Sequence, residues 1–78
     1  MLALINEHRR GLCDAELIRY LPREHPGSTT KRRTDLYQAG LVYDSGERRM
    51  SPHGRAQIVW KTTQAGRNAL RALGMDYA

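Results

Sequence analysis

Three consecutive cations, Lys31-Arg32-Arg33, stand between Thr30 and Thr34, and a second basic set, Arg48, Arg49, His53 and Arg55, follows a short apolar stretch. Side chains of these types on one surface neutralise phosphates and donate hydrogen bonds to base edges. Bond-breaking chemistry has little to work with. His8, His25 and His53 lie in separate segments, and no serine or cysteine sits in a motif that would activate it as a nucleophile. One cysteine and three scattered histidines lack the paired spacing of a zinc site. The expectation is a protein that is not an enzyme, with no cofactor and no metal.

Charge position sharpens this. Residues 1–27 hold Arg9, Arg10, Arg19 and Arg23 against Glu7, Asp14, Glu16 and Glu24, and are neutral. Residues 28–61 hold Lys31, Arg32, Arg33, Arg48, Arg49, Arg55 and Lys61 against Asp35, Asp44 and Glu47, which places +4 of the formal +5 there. A localised excess of this kind suits a polyanionic partner. A solvated charged face is the plainer explanation.

The elements that must position these residues are short. A chain of 78 residues forms one small domain that buries roughly 60% of its unfolded surface. No run is long and apolar enough for a membrane span, the apolar start Met1 to Ile5 is too short for a signal peptide, and the single Cys13 suits a reducing compartment. A cytoplasmic location is expected. Met1, Leu4, Ile5, His8 and Leu12 recur at helical spacing, which predicts a first helix over residues 1–11, stopped at Gly11. Asp14 is the expected cap of a second helix, 13–21, with Leu17, Ile18 and Leu21 inward and Pro22 ending it. Ser28 is the expected cap of a third, 28–39, closed by Gly40. A hairpin over 41–62 follows, its tip at Pro52-His53-Gly54 and a bulge at Ser45-Gly46; a turn at Ser45-Gly46 is the competing register. Thr63 then caps a fourth helix, 63–73, and Met75 to Ala78 forms a tail.

Laid out at about 100° per residue, the third helix turns Leu36 and Ala39 inward, with Arg32 and Arg33 flanking that side. Thr30, Lys31, Thr34 and Gln38 point outward and are the candidate base readers: lysine donates to guanine, threonine offers its hydroxyl or meets a thymine methyl, and glutamine reaches adenine. Arg32, Arg33 and the helix start at Ser28 are candidate phosphate contacts. Arg48, Arg49, His53 and Arg55 on a projecting hairpin suit phosphate or a narrow minor groove. A charge-protected hairpin edge is the alternative there.

With these elements in order, Ala39-Gly40-Leu41-Val42, then Asp44-Ser45-Gly46-Glu47-Arg48-Arg49, then Gly54-Arg55 before Val59-Trp60, the chain resembles small winged helix-turn-helix domains of the MarR-like or phage-encoded type over about residues 12–66. It departs from them in placing Cys13 where a threonine cap is usual, and in a long Pro22–Gly27 turn. The resemblance implies an α+β, mostly helical fold of three helices, a β-hairpin wing and a C-terminal helix. It further implies a transcription regulator or phage accessory protein that binds double-stranded DNA, with the third helix in the major groove. A homodimer joined through Leu2, Leu4, Leu70 and Leu73 would read two half-sites. A protein-interaction module using Tyr37, Tyr43 or Trp60, and a binder of RNA or unusual duplexes, are the alternatives.

Overall fold

The computed structural model describes residues 1–74. They form a small α+β domain of four helices and one antiparallel hairpin: α1 (Leu2–Glu7), α2 (Asp14–Tyr20), α3 (Pro26–Gln38), β1 (Val42–Met50), β2 (Ala56–Thr62) and α4 (Gln64–Ala72). The tail expected at Met75 to Ala78 lies outside the described residues. Among the described residues no helix is long and apolar enough to cross a membrane.

The first helix is much shorter than its periodicity predicts. It ends at Glu7, and Gly11 takes a left-handed φ of 80° in the connection. Leu12, expected on the helical stripe, instead exchanges both backbone hydrogen bonds with Trp60, at 3.0 and 2.9 Å. Gly11 is required there because a Cβ would stand 2.5 Å from the Trp60 carbonyl oxygen. The segment between α1 and α2 is thus sewn to the outer edge of β2, making β2 the middle of three chain segments.

Helix α2 starts at Asp14 with Cys13 as its cap residue, so Asp14 is not the cap. Glu16 reaches back to the Cys13 amide at 3.0 Å, and Gln57 of β2 accepts from the Ala15 amide at 2.9 Å. Between them they satisfy two amides at the start of α2 that the helix cannot. Helix α3 begins two residues before Ser28. Pro26 fits its first turn because proline has no amide to satisfy and a preset φ, and the His25 side chain accepts from the Gly27 amide at 3.1 Å. Ser28 therefore lies inside the helix rather than capping it.

The hairpin turns at Ser51 to Gly54, whose ends are joined by a 2.9 Å bond. Asp44 faces Trp60 and Arg48 faces Ile58, so Ser45, Gly46 and Glu47 oppose a single residue. This bulge is held by Asp44 accepting from the Gly46 amide at 2.9 Å and Ser45 from the Glu47 amide at 3.2 Å. Thr63 caps α4 by accepting from the Gly66 amide at 3.0 Å and ties it to α3 by donating to the Gly40 carbonyl at 2.7 Å. The core is Ile5, Leu12, Leu17, Val42 and Trp60, with Met1, Leu2, Leu4, Leu36 and Ile58 packed against it. Leu70 is also buried, at 3% exposure, so it belongs to the interior and not to a dimer surface.

Candidate nucleic-acid interface

Helix α3 is held from behind by Thr29, which is fully buried, and by Leu36. Its outer arc presents Ser28, Lys31, Asp35 and Gln38 to solvent. Among the described residues the Lys31 side chain has no ion pair or hydrogen bond, so its three donors face water. Thr30 and Thr34 stand at the edge of the arc, half-buried, and the Thr34 hydroxyl donates back to the Thr30 carbonyl at 3.0 Å. Of the four residues expected to point outward, Lys31 and Gln38 are exposed and the two threonines are half-buried.

Arg33 has a different job from the phosphate contact expected of it. Its guanidinium forks onto Asp14 at 2.8 and 2.9 Å, lies 4.3 Å from the centre of the Trp60 ring, and its side chain is 13% exposed. Tyr37 meets the same indole edge-on at 5.1 Å. A planar guanidinium can do both at once, pairing in its plane and stacking on its face. Arg33 pins α3 to the start of α2 and to β2. Arg32, one position away, stays exposed and pairs with Glu24 at 2.6 Å.

On the hairpin, Arg49 is likewise withdrawn. It pairs with Glu16, donates to the Gly11 carbonyl at 3.3 Å, and approaches the Arg10 carbonyl at 3.5 Å. Burial works to raise the Glu16 carboxyl's pKa, but the Cys13 amide and the Arg49 guanidinium outweigh it and hold the group below the usual glutamate range. Arg48 pairs with Asp44 at 2.9 and 3.2 Å on the surface. The Gly46 amide and then Arg48 hold Asp44 below the usual aspartate range. His53 and Arg55 stand exposed at the tip, and their side chains have no partner among the described residues.

Pairing across the fold moves the unbalanced charge away from where the sequence puts it. Asp14, Glu16 and Glu24, which balance the first 27 residues on paper, are taken by Arg33, Arg49 and Arg32. Among the described residues, Arg9, Arg10, Arg19 and Arg23 are left with Glu7 as the one acid of residues 1–27 outside these ion pairs. The uncommitted cations of α3 and the hairpin are Lys31 and Arg55, beside the surface pairs of Arg32 and Arg48. Lys61 reaches Glu47 only at 3.9 Å. The four N-terminal arginines look balanced in the sequence because acids lie near them along the chain, yet three of those acids pair elsewhere in space.

Comparison with family models, curated proteins and solved structures returns no match for this chain. The chemistry of the site is therefore carried by its own residues. An exposed helix face with lysine and glutamine, and a separate hairpin with exposed arginines and a histidine, are each of a chemistry that can bind phosphates and donate to base edges. Among the described residues no group of three or more His, Cys, Asp or Glu side chains is placed to hold a metal ion.

Proposed function

We propose that this chain is a winged helix-turn-helix protein that binds double-stranded DNA, as a small transcription regulator or a phage accessory factor. Helix α3 enters the major groove, with Lys31 and Gln38 toward base edges and Ser28 and Arg32 toward phosphates. The hairpin is the wing, placing Arg48, His53 and Arg55 on phosphates or in the neighbouring minor groove. Arg33 and Arg49 hold the framework and do not touch DNA.

The observation that carries this reading is the division of labour on α3. Thr29, Arg33 and Leu36 fix the helix to the rest of the domain, while Ser28, Lys31 and Gln38 are left exposed on one arc. The order of elements adds support: helix, an edge segment bridged to β2 at Leu12, two helices, hairpin. Specific reading of DNA is commonly strengthened by a symmetric pair of modules, so the active form is proposed to be a homodimer. Leu73, 74% exposed just after α4, offers an apolar contact, while Leu2 and Leu4 are half-buried against the core. The protein-docking alternative loses Trp60, which is only 5% exposed.

The reading is tested by titrating labelled duplex DNA, single-stranded DNA and a structured RNA of equal length at matched salt. Preference for duplex DNA, weakened by Lys31→Gln, is expected. Preference for structured RNA would overturn it.

A further inference from the structure

A cleft of about 370 Å³ lies between the outer side of α2 and the hairpin tip, lined by Cys13, Glu16, Arg19, Arg49, Met50 and Ser51 among others. That size falls within the roughly 300–1,000 Å³ range of ligand-holding clefts. Its lining is mixed: Cys13, Ala15, Met50 and Pro52 make an apolar part, and the charged part, Glu16, Arg19 and Arg49, does not cancel. Glu16 is matched by Arg49 and also accepts from the Cys13 amide. Arg19 is exposed and has no ion pair or hydrogen bond among the described residues. Ser51, also in the lining, is 7% exposed; its Oγ accepts from the Arg55 amide at 3.2 Å, and its hydroxyl proton has no acceptor among the described residues.

We infer that this cleft is an anion site that takes a phosphate group, with the Arg19 guanidinium as its charge and the buried Ser51 hydroxyl as a second donor. A cation at the mouth and a hydroxyl in the wall suit a polyatomic oxyanion, which accepts several hydrogen bonds at once. Because the walls belong to α2 and to the hairpin tip, a bound phosphate bridges the two and fixes the tip relative to α2. Two sources share this chemistry: a phosphodiester of duplex DNA flanking the groove that α3 enters, and a free phosphate or small phosphorylated ligand. The first source rests on the DNA-binding reading; the site itself does not.

The test has two arms. In the first, inorganic phosphate is titrated into the ¹⁵N-labelled protein and its Arg19→Gln and Ser51→Ala variants at constant ionic strength. Saturable shifts at the amides of Arg19, Ser51 and Arg55 are expected, weakened about tenfold or more by loss of the charged donor. Small, non-saturating shifts identical in wild type and Arg19→Gln would overturn the site. Arg19 is exposed, so its variant should fold; its own spectrum checks that. The second arm measures the salt dependence of duplex binding. A slope shallower by about one in Arg19→Gln assigns the phosphate to DNA, whereas an unchanged slope with an intact phosphate site assigns it to a small ligand. Failure of the wild type to bind duplex would remove the DNA-binding reading and leave the first arm to decide the site.

Discussion

Arg33 shows how one residue changes meaning between the sequence and the fold. In the run Lys31-Arg32-Arg33 it is a third cation on a helix; in space it is a clamp between Asp14 and the Trp60 ring. Helical periodicity places it at the flank of the buried side but cannot show that an aspartate 19 positions away waits there. Arg33→Ala should cost about 1–3 kcal/mol in urea unfolding, below the 3–5 kcal/mol of a fully buried pair because solvent still reaches both groups. Arg33→Lys should recover only part, since lysine has neither the fork nor the plane. The pH dependence follows from Glu16. Its folded pKa is depressed, so its contribution is present above the ordinary glutamate range and is lost as pH falls through the lowered folded value. The urea midpoint should fall between about pH 5 and pH 3, less steeply in Glu16→Gln, whose missing charge also removes the Arg49 pair at neutral pH. Gly66 gives a sharper steric case. A Cβ there would stand 2.2 Å from the Leu41 carbonyl oxygen, so Gly66→Ala should lower stability by about 1–3 kcal/mol despite alanine's better helix propensity.

At the scale of elements, local signals were legible and long-range ones were not. Thr63 and Gly74 mark the ends of α4, and the tip and bulge of the hairpin stand where Pro52-His53-Gly54 and Ser45-Gly46 place turn residues. The first helix is shorter than its periodicity predicts because Leu12 keeps helical spacing while its backbone pairs with Trp60, a contact between distant parts of the chain. The start of α3 moved to Pro26 because the His25 ring takes the capping role expected of Ser28. For the candidate site, exposure of Lys31, Gln38, His53 and Arg55 was legible from pattern. The withdrawal of Arg33 and Arg49 was not, because each depends on an acid contributed by α2. The hairpin tip carries its own prediction. His53→Ala with Arg55→Ala should weaken duplex binding several-fold and leave site preference unchanged, as minor-groove and phosphate contacts read little sequence. A changed preferred sequence would give the tip a reading role instead.

The whole domain is 37 Å in its longest dimension, close to one turn of B-form duplex at about 34–36 Å. On the proposed DNA-binding reading, one copy would cover about one turn and a dimer two adjacent half-sites. Leu73→Glu should leave the fold intact, since the side chain is exposed, while shifting the protein toward monomer in sedimentation and weakening duplex binding. An unchanged dimer would move the interface away from the end of α4. The central claim, a phosphate-anchored protein that reads duplex DNA through α3, is tested most directly by binding a fragmented genomic DNA pool across a salt series and sequencing what is retained. Arg32, Arg48 and Arg55, with or without Arg19, give about three or four phosphate contacts and so a log-log slope of roughly −3 to −4. The predicted result is that slope together with enrichment of a shared inverted-repeat sequence, lost in Lys31→Gln with Gln38→Ala. No retention at low salt, or retention without any shared sequence that the α3 variant alters, would contradict the claim.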